Sequence, residues 1–212
     1  MTLKLYGHPD SLCTRRVLLV LTEKDIDYES ITMNFMAGEQ KQPPYQEIMP
    51  FGQIPALEDG SLRLYESRAI SRYLASKYRG QGNDLLPAAD DVEGWALFEQ
   101  FASVEYSQVF DIALQVLFLK LFNPAMGIPS DEITTKSSVT KLHAKLDVLE
   151  KILATQDYLG GAEFTIVDAF YMPAVHMLHQ VGEGPAFEQR QNISSWWNRV
   201  SSRESWKKVN GN

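Results

Sequence analysis

A serine at position 11 lies between a turn and a segment with helical periodicity. The turn spans residues 7–10, and apolar residues follow at helical spacing from Thr14 to Lys24. A serine at this position is an ordinary N-cap, whose hydroxyl accepts a free backbone N–H and stabilises the helix by about 1 kcal/mol. The same position faces unpaired N–H groups and the positive end of the helix dipole, which stabilise a bound thiolate and lower its pKa. The two roles are compatible, and the residue alone leaves both open.

The first turn of this helix also carries Cys13, Arg15 and Arg16. Both arginines add positive charge near an anion at the helix start, and we expect one of them to pair with a surface carboxylate instead. Cys13 is the only cysteine of the chain, so neither an intramolecular disulfide nor a zinc site built from cysteine pairs can form. We interpret it as a small buried apolar residue, with a redox nucleophile as the alternative. The four histidines lack the spacing of a ligand cluster, so no metal site is predicted.

A proline at position 55 enters a predicted strand directly after Gln53 and Ile54. A trans proline at the start of an edge strand is the ordinary interpretation, because trans X–Pro bonds are far commoner than cis ones. A cis Ile54–Pro55 bond would instead turn the backbone of Ile54 outward. An extended peptide can pair with a backbone exposed in that way.

Two polar pairs suit the ends of an acidic peptide. Glu66 and Ser67 precede a predicted helix, where they are either a capping pair or a clamp for an amino acid. In the clamp, Ser67 and the helix start take the carboxylate, and Glu66 takes the ammonium. Gln40 and Lys41 lie in a polar loop, where they are either solvated or near a distant carboxylate of the ligand.

The elements that position these residues predict a small domain of the order β-α-β, β-β-α. A connection as long as the first one favours a parallel, right-handed crossover. Asp59-Gly60 between two apolar runs is a strong hairpin signal. The predicted elements are strand 3–6, helix 14–24, strand 28–33, a hairpin over 54–57 and 62–65, and helix 67–78.

The remainder of the chain predicts helices only. Long helices are expected from about 90 to 122 and from about 131 to 155, another begins at Thr165, and short ones end the chain. Thr165 and Asp168 have the spacing of a capping box, for which we predict a structural role. We therefore predict an α/β domain over 1–79, a linker over 80–88 and an all-α domain over 89–212.

Composition narrows the classes of function. Twenty Lys and Arg residues against 27 Asp and Glu residues give a net charge of −7, which argues against a general role on nucleic acid. The start of the chain lacks the pattern of a signal peptide, and no apolar run approaches the roughly 20 residues of a membrane span. A lone cysteine suits a reducing compartment. From the net charge and the short apolar runs we expect neither nucleic acid nor a membrane as a partner.

These motifs, in this order and at this spacing, resemble those of the glutathione transferases, and the phi class in particular. The match is strongest over residues 1–80 and looser in the helical half, through Thr165-x-x-Asp168 and residues 196–208. The motifs that carry it are Tyr6-Gly7-His8-Pro9-x-Ser11-x-x-Thr14-Arg15-Arg16-Val17, Gly38-Glu39-Gln40-Lys41, Pro50-Phe51-Gly52-Gln53-Ile54-Pro55 and Leu64-Tyr65-Glu66-Ser67-Arg68-Ala69-Ile70.

The resemblance implies a thioredoxin-like domain followed by a helical-bundle domain, glutathione as co-substrate and a cytosolic homodimer. Gln40 is a departure, since plant relatives often carry a histidine there, and an amide cannot carry charge. The residues matched one by one imply that Ser11 hydrogen-bonds the glutathione sulfur, that Gln40 and Lys41 lie at the glycine end, that Gln53 and Ile54 before a cis Pro55 hold the cysteine, and that Glu66 and Ser67 hold the γ-glutamyl end.

The implied reaction is conjugation of the glutathione thiolate to a small hydrophobic electrophile, and peroxide reduction by the same thiolate is left open. We expect Ser11 to stay protonated and to act as a hydrogen-bond donor, because no histidine is placed to serve as its base. The alternatives are a non-catalytic carrier of hydrophobic ligands, an interaction module, and a thiol transferase based on Cys13. We expect the electrophile to bind between the two domains, against the apolar side chains Leu12, Met33, Phe35, Phe118, Leu119 and Phe122.

Overall fold

The computed structural model of the chain describes residues 3–211, apart from the side chain of Met36. Its sheet has the strand order β2-β1-β3-β4, with β1 and β2 parallel and the other neighbours antiparallel. This is the thioredoxin-like arrangement that the resemblance implied, and the predicted parallel crossover is confirmed. The elements are β1 (Leu3–Gly7), α1 (Leu12–Glu23), β2 (Tyr28–Thr32), β3 (Ala56–Asp59), β4 (Leu62–Tyr65) and α3 (Ser67–Lys77).

Close contact between the end of β1 and the first turn of α1 fixes the start of that helix. A Cβ added at Gly7 would lie 2.6 Å from the Cγ2 atom of Thr14, so only glycine allows this approach. The N–H of His8 donates to the Thr14 hydroxyl at 3.4 Å. Farther along the helix Val17 and Val20 are completely buried, which anchors the apolar face of α1 in the core.

The segment between β2 and β3 forms short turns over a small hydrophobic core. It contains 3₁₀ turns at Phe35–Ala37 and Glu39–Lys41, followed by the helix α2 (Pro43–Gln46). Tyr45 and Met49 from this segment are buried. Met33, which we predicted to line an electrophile pocket, lies in the same core, so its expected place on an accessible wall is wrong.

The rest of the chain is helical, which confirms the predicted combination of an α/β domain and an all-α domain. The single helix expected over about 90–122 differs in detail, because two π-helical segments interrupt its α-helical hydrogen bonds. The elements are α4 (Val92–Val104), a first π-helical segment (Glu105–Phe110), α5 (Asp111–Leu117), a second π-helical segment (Phe118–Phe122), α6 (Asn123–Ala125), α7 (Glu132–Leu153), α8 (Ile166–Leu178), a third π-helical segment (His179–Glu183), α9 (Gly184–Glu188), α10 (Gln191–Ser201) and α11 (Glu204–Asn210).

The predicted capping box at the start of α8 is present. Thr165 accepts a backbone N–H of the first turn, while the Asp168 carboxylate accepts the N–H of Thr165 at 3.1 Å. Asp168 is completely buried, and it also accepts the N–H of Leu159 at 2.7 Å and the indole N–H of Trp196 at 2.8 Å. Burial raises the pKa of this carboxyl, and the three donors oppose that rise. Asp168 therefore has the structural role that the spacing predicted.

The chain divides into two compact units by its contacts. The first unit contains the chain up to Leu86 and, in addition, the last segment from Glu204 onward, and the second unit is Pro87–Arg203. The predicted boundaries placed residues 204–212 in the helical domain, and the structure differs there. The last helix, α11, packs on α1 because Trp206 is buried and the Ser205 hydroxyl donates to the carboxylate of Glu23. Among the helices of residues 3–211, none is long and apolar enough to cross a membrane.

Candidate active site

Ser11 is the N-cap of α1, as its position in the sequence predicted. Its backbone is extended, with φ −74° and ψ 126°, and its Oγ accepts the N–H of Thr14 at 3.3 Å. The Ser11 N–H donates to the carbonyl of His8 at 2.9 Å, which closes the turn before the helix. Within residues 3–211 the hydroxyl proton of Ser11 has no acceptor. The half-buried Ser11 side chain can therefore donate one hydrogen bond to a bound anion.

Two backbone donors lie beside the Ser11 hydroxyl. Leu12 and Cys13 are the first two residues of α1, and their N–H groups have no acceptor in the part of the chain that the structure describes. Unpaired N–H groups at a helix start carry the positive end of the helix dipole. The hydroxyl and these two groups together suit a small anion such as a thiolate.

The two arginines of the first turn have different surroundings. Arg15 donates to the carbonyl of Pro9 at 2.7 Å and to the carboxylate of Asp10 at 3.3 Å, so it is the one that pairs with a surface carboxylate, as we expected. Arg16 is completely buried and donates to the sulfur of Cys13 at 3.4 Å. Cys13 is only half-buried. The interpretation of Cys13 as a buried apolar residue is therefore wrong, because its sulfur accepts a hydrogen bond from a cation.

The segment before β3 presents backbone groups that a ligand can pair with. The Ile54–Pro55 bond is cis, as the resemblance implied, and the trans interpretation is wrong. The Gln53 carbonyl accepts the hydroxyl of Tyr45 at 2.7 Å, and burial raises the pKa of Tyr45, so this phenol stays a donor. Among residues 3–211, neither the N–H nor the carbonyl of Ile54 has a partner. Nothing in the sequence pattern marked Tyr45 as the residue that holds this segment.

A close approach of two loops brings Gln40 and Lys41 beside the segment that carries Gln53. Gly52 has φ +59°, and a Cβ there would lie 2.6 Å from the carbonyl oxygen of Gln40. Lys41 Nζ donates to the carbonyl of Phe51 at 3.0 Å, and this side chain is exposed. The amide nitrogen of Gln40 donates to the carbonyl of Phe35 at 3.2 Å. Its amide oxygen is buried and has no donor in the described structure.

Glu66 and Ser67 are held at the start of α3 by an unusual backbone conformation. Glu66 is the N-cap and has φ +70° and ψ 107°. A non-glycine residue in such a conformation costs on the order of 1–3 kcal/mol, and residues of this kind cluster at functional sites. The Glu66 side chain is exposed, whereas Ser67 is buried. This backbone conformation could not be predicted from the residue type, because glutamate does not favour a positive φ.

Strand register places these groups at one end of the sheet. In the register of the sheet, Tyr6 of β1 pairs with Ala56 of β3, which pairs in turn with Tyr65 of β4. Because both pairs are antiparallel, the turn after β1, the cis proline before β3 and Glu66 after β4 all lie at the same end. The fold therefore brings together the residues that we predicted to contact the sulfur, the cysteine backbone and the γ-glutamyl end of glutathione.

The residues predicted for the electrophile differ in exposure. Leu12 is buried, whereas the exposed ring of Phe35 contacts the imidazole of His8 edge-on, with ring centroids 5.0 Å apart. In the helical unit, Phe118 is 44% exposed and packs edge-on against Phe122, with ring centroids 5.2 Å apart. Phe35, Phe118 and Phe122 are thus the better candidates for an apolar wall.

Comparison with known proteins gives the same assignment over the whole chain. Residues 1–76 match the family model of the glutathione S-transferase N-terminal domain, and residues 109–204 match that of the C-terminal domain. Glutathione S-transferase F11 of Arabidopsis thaliana is 40% identical over 210 residues, which cover 99% of this chain and 97% of the relative. The crystal structure of glutathione transferase F7 from Populus trichocarpa has a TM-score of 0.94 at 36% identity and covers 99% of this chain and 98% of its own. Glutathione S-transferase I of maize, in complex with an atrazine glutathione conjugate, has a TM-score of 0.91 at 30% identity and covers 100% of this chain and 97% of its own.

The fold combines a thioredoxin-like domain with an all-helical domain, and the start of α1 carries free hydrogen-bond donors that suit an anion. This combination defines the class of enzymes that bind a thiol-containing peptide. The chain belongs to the glutathione transferase family and is of the phi-class type. It is a glutathione transferase with glutathione as co-substrate, and the alternative of a non-catalytic carrier is not favoured. Over residues 3–211, no group of three or more His, Cys, Asp or Glu side chains is arranged to hold a metal ion.

Proposed function

We propose that Ser11 activates glutathione by donating its hydroxyl hydrogen bond to the thiolate, which then attacks a small hydrophobic electrophile. The observation that carries this proposal is the Ser11 hydroxyl, which accepts the N–H of Thr14 and keeps its own proton uncommitted in the described structure. An uncommitted donor at a helix start stabilises the charged form of the sulfur more than the neutral form. Ser11 stays protonated throughout and forms no covalent bond with the substrate.

The energy that this activation requires is modest. A thiol with an ordinary pKa of about 8.5 needs about 2.7 kcal/mol of differential stabilisation to ionise two pH units lower. A hydrogen bond to a charged group contributes about 1.5–3 kcal/mol. A helix terminus contributes up to about 1 kcal/mol more. The charge of Arg15 adds little, because Asp10 lies 3.3 Å away and partly neutralises it.

The rest of glutathione extends along the end of the sheet in this proposal. The free N–H and carbonyl of Ile54 pair with the cysteine of the peptide, beside Gln53 and the cis Pro55. Glu66 and the start of α3 at Ser67 take the ammonium and carboxylate of the γ-glutamyl end. At the other end, Lys41 and Gln40 face the glycine, where Lys41 supplies a positive charge for its carboxylate. The domain predicted over 1–79 thus binds glutathione.

The electrophile in this proposal is an apolar compound that contacts the ring pair Phe118 and Phe122 of the helical unit. Phe35 of the first unit is exposed and is a further candidate contact, whereas Leu12 is buried and is not. The maize relative was solved with an atrazine glutathione conjugate, which supports an aromatic substrate of that size. A cytoplasmic homodimer is part of the proposal, on the strength of the family. Sedimentation of the purified protein at micromolar concentration tests the dimer directly.

The test of the catalytic assignment is conjugation of glutathione to chlorodinitrobenzene and to an isothiocyanate by the wild type, Ser11→Ala and Cys13→Ser. We expect Ser11→Ala alone to lose turnover, while calorimetry shows that it still binds glutathione. Loss of glutathione binding with unchanged turnover at saturation would contradict the role of Ser11. Activity lost in Cys13→Ser and retained in Ser11→Ala would transfer the chemistry to Cys13.

A further inference from the structure

A buried carboxylate in the helical unit joins three separate elements. Glu183, at the end of the third π-helical segment, has only 7% of its side chain exposed. One of its oxygens accepts Lys120 Nζ at 2.5 Å, and the other lies 3.1 Å from His143 Nε2 of α7. Burial raises the pKa of the Glu183 carboxyl, but the hydrogen bonds from Lys120 and His143 outweigh it and lower the pKa below its ordinary value. This carboxylate is therefore ionised at neutral pH and holds both partners.

Lys120 makes a second contact in the same place. Its Nζ donates to the carbonyl of Val181 at 3.1 Å. Val181 and Gly182 leave helical geometry, with φ −96° and φ +87°, so helical hydrogen bonding is interrupted there. Lys120 thus satisfies a carbonyl at this kink as well as the carboxylate of Glu183. The second and third π-helical segments are fixed to each other through one ammonium group.

Lys120 lies at the centre of the segment that carries Phe118 and Phe122. Residues four apart share a helix face, whereas residues two apart do not face each other. The two rings pack together, and Lys120 binds Glu183. Because Lys120 is two residues from each ring, its spacing places it on another face of the segment. π-Helical segments are frequent at functional sites. Holding this segment by Lys120 therefore sets the position of the ring pair.

We infer that Lys120 is a positioning residue for electrophile binding, which acts by fixing the Phe118–Phe122 ring pair through its contacts with Glu183 and Val181. This inference rests on the proposed role of that ring pair. Lys120 does not touch the reacting atoms, and glutathione activation at Ser11 is independent of it. Its loss leaves the rings present but free to shift, so the enzyme distinguishes electrophiles less well and binds aromatic ones more weakly.

The test compares Lys120→Met, Lys120→Arg, Glu183→Gln and Phe118→Ala in steady-state conjugation. We expect Lys120→Met to raise the KM for an aromatic electrophile roughly tenfold, the lower end of what one apolar contact contributes to specificity. The KM for glutathione should stay unchanged. Lys120→Arg keeps the positive charge, so it should retain most of the wild-type affinity for the electrophile. Glu183→Gln should reproduce the effect of Lys120→Met. The double variant of these two should add little, because both remove the same contact.

A matched control breaks another ion pair of the helical unit. Arg190 contacts Asp147 of α7 at 2.7 Å. Asp147→Asn should leave both KM values unchanged. Stability of each variant is measured by urea unfolding at the assay temperature. If Lys120→Met is too unstable to assay, the electrophile KM of the two other variants is compared instead. The inference then requires a raised KM in Glu183→Gln and a KM close to the wild-type value in Lys120→Arg.

The outcomes separate this inference from the function on which it rests. An unchanged KM for the electrophile in both Lys120→Met and Glu183→Gln, with a raised KM in Phe118→Ala, would overturn the inference and leave the proposed electrophile site intact. An unchanged KM in Phe118→Ala would remove the proposed site itself, and the inference with it. Parallel losses in glutathione KM and electrophile KM would show that Lys120 only stabilises the fold.

Discussion

Replacement of Ser11 by alanine should raise the pKa of bound glutathione. The variant removes one hydrogen bond to the thiolate and leaves the backbone N–H groups of Leu12 and Cys13 in place. A hydrogen bond to a charged group contributes about 1.5–3 kcal/mol. One pKa unit corresponds to about 1.4 kcal/mol, so the thiol pKa should rise by about one to two units.

The size of the defect should depend on pH in a defined way. If the wild-type thiol pKa is about 6.5 and that of Ser11→Ala is about 8, the thiolate fraction at pH 6.5 falls roughly 15-fold. At pH 9 both forms are almost fully ionised, so the two enzymes should differ by less than about 2-fold in thiolate content. Conjugation at saturating electrophile should follow the same curve.

The assay is a titration of the ultraviolet absorbance of the thiolate in enzyme saturated with glutathione. Ser67→Ala is the matched control, because it removes a serine hydroxyl from the proposed γ-glutamyl end and should change binding without changing the thiol pKa. Ser11→Ala also loses an N-cap, at a cost of about 1 kcal/mol, which thermal unfolding measures separately. Coincident titration curves for the wild type and Ser11→Ala would refute the reasoning.

Three further substitutions test other parts of the structure. Asp168→Ala leaves the Trp196 indole and two backbone N–H groups buried without an acceptor, so urea unfolding should show a loss of at least about 3 kcal/mol. Lys24 is 1% exposed, and its Nζ has no hydrogen-bond partner among the described residues; only the charge of Asp84 favours its ionised form. Lys24→Met should therefore raise the free energy of unfolding by about 1–3 kcal/mol at pH 7. Burial lowers the pKa of Lys24 in the folded protein below its unfolded value, so the unfolded chain binds more protons and the stability of the wild type rises with pH. The stability gained by Lys24→Met should therefore shrink toward pH 10. A gain that stays constant with pH would contradict this explanation. Gly52→Ala places a Cβ 2.6 Å from the Gln40 carbonyl, so the KM for glutathione should rise with little change in kcat, and an unchanged KM would show that the two loops do not form one site.

Local signals in the sequence predicted much of the fold. The Asp-Gly pair specified the hairpin, because its backbone preferences fit a tight turn between two apolar runs. The spacing of Thr165 and Asp168 predicted a capping box for a similar reason, since both partners lie within one helical turn. Ser11 was identified as an N-cap in the same way. In each case the interacting groups are close in sequence, so the local pattern of residue types is enough to predict the contact.

Contacts between distant residues could not be read in this way. Lys120 and Glu183 are far apart in the chain, and neither residue type indicates a partner. Met33 looked suitable for an accessible wall, but its burial depends on Tyr45 and Met49 from another segment. The cis conformation of Pro55 came only from the resemblance, because cis X–Pro bonds are rare in general. Glutathione contacts at the site stay a prediction.

The return of α11 to the first unit has a consequence for synthesis of the protein on the ribosome. Glu23 and the hydroxyl of Ser205 can meet only after the intervening chain has been made, which takes on the order of 10 s at typical elongation rates. Until then the surface of α1 that contacts α11 is uncovered. The first unit can therefore complete its folding only after the last segment of the chain has been made. A fragment that stops at Leu86 lacks Trp206, which is a buried residue of that unit.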